Sequence, residues 1–118
     1  HLMMINSSIV KSGNLVISIT ISGETREIVN ATKLAKRNGA YIVSVTSFPD
    51  SSIANISDLN IIVPNSIFID KKSFINSQFS AMYVIDIISI MLLADPELSY
   101  KMDITIETII DKSHLNKN

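Results

Sequence analysis

The sequence predicts an α/β protein with an open parallel sheet of about three strands and flanking helices. Short runs of β-branched and apolar residues alternate with longer segments of helical periodicity. Within each short run the apolar residues are consecutive rather than alternating. This pattern is typical of strands that are buried on both faces of a parallel sheet.

The composition excludes several classes of function. The 118 residues are 47% hydrophobic and 18% charged, and we expect residues 1–118 to form one folded domain. A formal net charge of −1 offers no basic surface to a nucleic acid, so we expect no direct DNA or RNA contact. Cysteine is absent, which excludes disulfides and fits the cytoplasmic location that we expect.

The first strand and helix lie close to the start of the chain. Residues 14–19 form a short apolar run after Ser12-Gly13, and they predict a strand. Residues 24–38 follow with apolar side chains at helical spacing, and they predict a helix. Gly39 comes directly after this segment, in the position where a glycine commonly ends a helix.

Two further strands are predicted in the middle of the chain. Residues 41–46 form a second β-branched run, which ends before Phe48-Pro49-Asp50. A polar stretch with a short turn at residues 53–56 leads to a third run at residues 59–63, which Pro64 closes. So short a crossover still fits a parallel arrangement of the three strands.

Two helices are predicted at the end of the chain, at residues 74–94 and 97–111, with Pro96 well placed at the start of the second. The first is apolar on nearly every face, although it contains Asp86. Its apolar run is shorter than the roughly 20 residues that a membrane span needs. We therefore expect a buried helix that packs against the last helix or a second subunit, in a homo-oligomer.

The two ends of the chain carry little information about function. Residues 1–3 are interpreted as a remnant of an expression vector, and residues 113–118 are expected to fray. The first thirteen residues have room for a short helix at most. His1 and His114 lie in these end segments without a second ligand at metal-binding spacing, so no metal site is predicted.

The loop between the first strand and the first helix is the candidate functional site. Loops at the carboxyl ends of parallel strands form the binding crevice of an α/β sheet, and a helix that begins there points unpaired N–H groups into it. Thr20, Ser22 and Thr25 supply hydroxyl groups, and Gly23 permits close approach of the backbone. The alternative is purely structural, with Ser22 as the helix N-cap and Gly23 in a tight turn.

The segment from Leu15 to Ile28 resembles the sugar isomerase (SIS) domain family, which has a Ser-x-Ser-Gly-x-Thr loop after a buried strand. Further similarities lie at Ala35 to Ala40, Ile42 to Thr46, Ser51 to Ala54 and Ser57-Asp58. Within the family, the effector domain of RpiR-type transcription regulators is the most similar. The resemblance implies a flavodoxin-like SIS fold of which this chain is a part.

The resemblance also implies the ligand and its contacts. A phosphorylated sugar or amino sugar would be bound by Thr20, Ser22, Gly23, Glu24 and Thr25, with the three hydroxyl groups holding the phosphate. Neither a cofactor nor a catalytic residue is implied. The expected function is that of a sugar-phosphate sensor in a transcription regulator.

This chain departs from the family pattern at its N-terminal side. Complete SIS domains have two further strands and an additional phosphate loop before the strand that corresponds to residues 14–19. They are not evident here, and neither is a helix-turn-helix segment. We therefore expect a partial domain without the DNA-binding part of a regulator.

Two other functions stay open. The chain could be part of a phosphosugar isomerase, in which case Glu24 or Glu27 would be the acid/base candidate, although capping is the better interpretation of both residues. Alternatively, it could be a dimerisation module with a vestigial ligand site.

Overall fold

The computed structural model describes residues 2–65 and 77–115 of the chain. In chain order the elements are α1 (Leu2–Ile9), β1 (Leu15–Ile19), α2 (Arg26–Arg37), β2 (Tyr41–Thr46), α3 (Ser52–Ile56), β3 (Leu59–Ile62), α4 (Ser77–Leu93) and α5 (Pro96–Leu115). The predicted order of strands and helices is confirmed, and a short helix precedes β1. The predicted start of the long helix at Phe74 lies outside the described residues.

The three strands form one open parallel sheet in the order β1-β2-β3. In the register of β1 and β2, Val16 faces Ile42 and Ser18 faces Ser44. In the register of β2 and β3, Ser44 faces Asn60. The predicted fold class is therefore confirmed, and the carboxyl ends of all three strands lie at one edge of the sheet.

Helix α2 begins later than the sequence indicated. Its first helical residue is Arg26 and its N-cap residue is Thr25, so the predictions of a start at Glu24 and of a cap by Ser22 are wrong. Its end is as predicted. Gly39 has φ +90°, and its N–H donates to Lys36 O at 3.0 Å. The N–H of Ala40 donates to Ala35 O at 3.2 Å, which completes a Schellman motif.

The core lies between α2 and the sheet. Ala35, Ala40 and Ile42 form a buried cluster, against which Val10 and Val16 pack. Beside this cluster, the hydroxyl groups of Ser18 and Thr32 share a buried hydrogen bond of 2.6 Å. The face of β1 that carries Val16 and Ser18 therefore packs on α2.

The prediction that the first strand is buried on both faces is wrong. Leu15 and Ile17 are 59% and 43% exposed. They occupy the opposite face of β1 from Val16 and Ser18, because successive side chains of a strand alternate between faces. Continuous apolar sequence is therefore not sufficient for burial at a strand on the edge of a sheet.

Helix α1 is attached to α2 by hydrogen bonds at its C-terminal end. The side-chain amide of Asn38 donates to Ser7 O at 3.1 Å and to Ser8 O at 3.3 Å. None of the eight residues of α1 is buried. The cap residue of one helix therefore satisfies carbonyl groups that would otherwise be unpaired at the end of the other.

The chain divides into two compact units, His1–Met82 and Tyr83–Asn118. The first contains the whole sheet. In the second, none of the described residues from 83 to 110 is buried, although many of them are Ile, Leu or Met. That residues 1–118 form one domain stays a prediction.

Within the described part of the chain, no individual helix has both the length and the hydropathy that a membrane span requires. Only the pair Gln78–Leu93 and Pro96–Ile110, taken together and bent by 106°, meets both requirements.

Candidate functional site

The segment from Thr20 to Thr25 leaves the sheet at the carboxyl end of β1 and leads into α2. The N–H of Thr20 donates to Val45 O at 3.0 Å, which continues the ladder of β1 and β2 by one residue. The N–H of Ser47 donates to Ile21 O, also at 3.0 Å. The segment therefore lies beside the end of the central strand, where parallel α/β sheets form their binding crevices.

Gly23 closes a tight turn in this segment. Its N–H donates to Thr20 O at 3.0 Å, and its φ is +70°, in the left-handed region. A Cβ at this position would lie 2.1 Å from Ser51 Oγ and 2.9 Å from Thr46 Oγ1. Both the backbone conformation and the close approach of the next loop therefore require glycine.

The three hydroxyl groups of the segment differ in their surroundings. Thr20 is buried, and its Oγ1 lies 2.8 Å from that of the exposed Thr25 in a hydrogen bond. The hydroxyl oxygen of the exposed Ser22 accepts the N–H of Glu24 at 3.2 Å. Ser22 therefore caps a local turn instead of α2, as Ser and Thr do when a backbone N–H lies two residues ahead.

The backbone amides of the segment are only partly available to a ligand. Those of Gly23 and Glu24 donate within the turn, while the first hydrogen bond of α2 runs from Val29 N–H to Thr25 O at 2.9 Å. In the described part of the chain, the N–H groups of Thr25 and of residues 26–28 have no acceptor. An anion at this helix end would therefore meet the amides from Thr25 onward.

Glu24 connects this segment to the loop that follows β2. One carboxylate oxygen accepts the N–H of Ser52 and the other accepts the Ser52 hydroxyl, both at 2.7 Å. These hydrogen bonds, first that of the hydroxyl and then that of the N–H, lower the pKa of Glu24 below its ordinary value. Glu24 therefore caps α3, whereas the sequence suggested that it stabilises the helix that follows it.

Other residues at this edge of the sheet were not predicted. Thr46 Oγ1 donates to Ile21 O at 3.2 Å, and the N–H of Ile53 donates to Gly23 O at 3.0 Å. The hydroxyl of Ser51 donates to Phe48 O at 2.7 Å and occupies the space beside Gly23. The sequence signals for these contacts were the polar residues after the second predicted strand and the similarity of Ser51 to Ala54 to the SIS family.

The pH dependence of stability tests the link between Glu24 and Ser52. Because the pKa of Glu24 is lower in the folded state than in the unfolded chain, the stabilisation by its carboxylate is complete above the pKa that Glu24 has in the unfolded chain. This contribution is lost as the pH falls through the folded-state pKa. In Glu24→Gln, we expect the urea midpoint to decrease less between about pH 6 and about pH 3 than in the wild-type protein.

Glu27→Gln is the matched control, since Glu27 is a neighbouring carboxylate that bonds no described residue. The Asp58 carboxylate accepts the N–H of Ile42 at 2.7 Å, and this hydrogen bond lowers the pKa of Asp58. The resulting pH dependence of stability is the same in the wild type and in both variants. Identical pH profiles for wild type and Glu24→Gln would contradict the assigned role of the link.

Comparison with known families identifies the fold to which this site belongs. The family model described as SIS domain matches residues 3–91. An uncharacterised HTH-type transcriptional regulator of Caldanaerobacter subterraneus is 32% identical over 92 residues, which are 78% of this chain and 33% of the regulator. The HTH-type transcriptional regulator RpiR of Escherichia coli is 39% identical over 64 residues, which are 54% of this chain and 22% of RpiR.

A solved structure with the same fold is that of the Vibrio vulnificus NanR protein complexed with ManNAc-6P. It is 23% identical, with a TM-score of 0.77, and the match covers 94% of this chain and 42% of that protein. This chain spans a third or less of the length of the two regulators described above. The predicted resemblance is confirmed, and the chain belongs to the SIS domain family.

Proposed function

We propose that this chain is the phosphosugar-binding effector part of a transcription regulator and that the segment from Thr20 to Thr25 holds the phosphate. The observation that carries the proposal is the arrangement of this segment. Exposed hydroxyl groups and unpaired amides come together at the start of a helix, at the carboxyl edge of a parallel sheet. The similarity to HTH-type regulators supports a regulatory role.

Each residue has a different part in the proposed site. Ser22 uses its oxygen to accept the N–H of Glu24, so its hydroxyl proton is free to be donated to a phosphate oxygen. Thr20 and Thr25 share one hydrogen bond, which leaves one hydroxyl proton of the pair for the ligand. Gly23 sets the turn, and Glu24 fixes the segment to Ser52. Thr20 and Glu24 therefore support the phosphate contacts more than they add to them.

The ligand class that we propose is a phosphorylated hexose or amino sugar. NanR, which shares the fold, was solved with ManNAc-6P. An isomerase would need a free acid/base group beside the sugar carbons. Glu24, one of the two acid/base candidates, has both oxygens bonded to Ser52, which disfavours it in that role.

Self-association and a cytoplasmic location belong to the same proposal. The second unit has Leu98, Met102 and Ile109 exposed by 40%, 45% and 63%, respectively. Apolar side chains exposed in such numbers on one helix pair are typical of an interaction surface. The net charge of −1 supports the proposal that the regulator contacts DNA through a part other than residues 1–118.

Calorimetry with ManNAc-6P tests the phosphate site. We expect weak binding, because one phosphate loop supplies few donors, and Ser22→Ala should weaken it about tenfold through loss of a charge-assisted hydrogen bond. Ser8→Ala makes the same chemical change on α1 and should bind as the wild type does. If the heat of binding is too small for calorimetry, chemical shift changes at residues 20–28 in NMR spectra would locate the site.

Absence of binding at millimolar ManNAc-6P, glucosamine 6-phosphate and glucose 6-phosphate would contradict the proposal. Equal affinity in Ser22→Ala and wild type would contradict the assigned site, even if a sugar phosphate binds.

A further inference from the structure

Ser47 carries a buried hydroxyl group that bonds no other group. The residue directly follows β2, the central strand of the sheet, and only 7% of it is exposed. Within residues 2–65 and 77–115, its Oγ has no hydrogen-bond partner. Such atoms are rare in folded proteins, because they lose their hydrogen bonds to water and gain none in return. A contact that forms when a ligand binds is one physical reason for such an atom.

Ser47 lies beside the segment that is proposed to hold the phosphate. Its N–H donates to Ile21 O at 3.0 Å, and Ile21 belongs to the segment from Thr20 to Thr25. The hydroxyl of the preceding residue, Thr46, donates to the same carbonyl oxygen at 3.2 Å. Both strands that flank β2 belong to the described residues. Ser47 is therefore held at the carboxyl edge of the sheet, between two strands and next to the proposed phosphate site.

The hydroxyl of Ser47 differs from the others at this edge. In residues 20–25 and 46–52, each of the others takes part in a hydrogen bond: those of Thr20, Ser22, Thr25, Thr46, Ser51 and Ser52. Rotation about the Cα–Cβ bond of Ser47 moves its Oγ between staggered positions and breaks no hydrogen bond. This hydroxyl can therefore turn toward a ligand without losing an existing contact.

The chemistry of this hydroxyl suits the sugar better than the phosphate. Phosphate oxygens are hydrogen-bond acceptors, and the donors for them are the hydroxyl and amide groups of the segment from Thr20 to Thr25. The hydroxyl of Ser47 has both its donor and its acceptor function available. A sugar hydroxyl likewise donates and accepts, and it is covalently attached close to the phosphate.

We infer that Ser47 binds a hydroxyl or amide group of the sugar, and that it thereby distinguishes a sugar phosphate from phosphate alone. The inference rests on the proposed function, since it requires the phosphate to lie at the segment from Thr20 to Thr25. It adds a specificity-determining residue from the loop after β2 to a site whose other contacts come from the loop after β1.

Urea unfolding tests whether the Ser47 hydroxyl has a structural role in the unbound chain. Ser47→Ala removes an oxygen without a partner, so we expect a urea midpoint equal to that of the wild type or higher. Ser44→Ala is the matched control on the same strand. Ser44 is fully buried and its hydroxyl donates to Asn60 Oδ1, so this change should lower the midpoint.

NMR titrations with ManNAc-6P and with inorganic phosphate test the contact with the sugar. Ser47→Ala should weaken the binding of ManNAc-6P about five- to tenfold, through loss of one hydrogen bond, and leave that of inorganic phosphate unchanged. Ser22→Ala should weaken the binding of both ligands, because its contact is with the phosphate. A purely structural role of Ser47 would not change the ratio of the two affinities.

Unchanged affinity of Ser47→Ala for ManNAc-6P would overturn the inference, and so would an equal loss for both ligands. A urea midpoint of Ser47→Ala below that of the wild type would also overturn it, because the hydroxyl would then stabilise the unbound fold. In each case the phosphate site stands as long as Ser22→Ala weakens both ligands. Absence of binding of both ligands to the wild type would overturn the phosphate site and this inference together.

Discussion

Gly23→Ala is expected to destabilise the protein by about 2–5 kcal/mol and to abolish sugar-phosphate binding. The methyl group would lie 2.3 Å from Ser51 Cβ and 2.1 Å from its Oγ, so the loop that contains Ser51 must move. The φ of +70° adds the cost of a left-handed conformation for an L-residue. Urea unfolding followed by circular dichroism measures the first effect, and calorimetry with ManNAc-6P measures the second.

Gly13→Ala separates the two causes of this loss. Gly13 has φ +89°, but a Cβ there would meet nothing within 4 Å, so we expect a loss of about 1–2 kcal/mol from the conformation alone. Adding Ser51→Gly to Gly23→Ala removes the overlapping atoms and should cost less than the sum of the single changes. Equal losses in Gly13→Ala and Gly23→Ala would contradict the close approach of the two loops.

Ile42→Ala is expected to cost about 2–5 kcal/mol, because it creates a cavity in the centre of the first unit. Ile42 is fully buried in the central strand, and it packs with Ala35, Ala40, Val10 and Val16. Since domains of this size are typically stable by only about 5–15 kcal/mol, this loss is a large fraction of the total stability. The readout is the shift of the urea midpoint at constant m value.

The control for this change is Ile62→Ala on β3. Ile62 is 48% exposed, so the same deletion should leave a much smaller cavity and cost correspondingly less. A similar loss in both variants would show that the packing of the core is not centred on Ile42.

The main elements of the fold could be predicted because their signals are local. The runs at β2 and β3 contain consecutive apolar residues, and the Schellman motif at Gly39 depends on a glycine directly after a periodic segment. The turn at Gly23 was also anticipated from its position between strand and helix. These features depend on neighbours a few residues away, so the sequence alone contains the information.

The contacts within the candidate site could not be predicted in the same way. Glu24 and Ser52 are 28 residues apart, and their pairing depends on how two loops meet at the edge of the sheet. Ser22 and Thr25 are both good cap residues, and only the path of the backbone decides which of them precedes α2. The exposure of Ile17 likewise depends on which strands lie beside β1, and the pattern of apolar residues in the sequence does not show how the strands are arranged.

The connection of α1 to α2 has a consequence for the order in which parts of the protein open. The amide of Asn38 holds the last carbonyl groups of α1, whereas no side chain of α1 is buried. Detachment of α1 therefore exposes no buried side chain of this helix, and the hydrogen bonds of the sheet stay intact when it occurs. Its amide protons should exchange with solvent through this local opening, far faster than those of β2. Each opening also uncovers part of the face of β1 that carries Val16 and Ser18, without unfolding of the core.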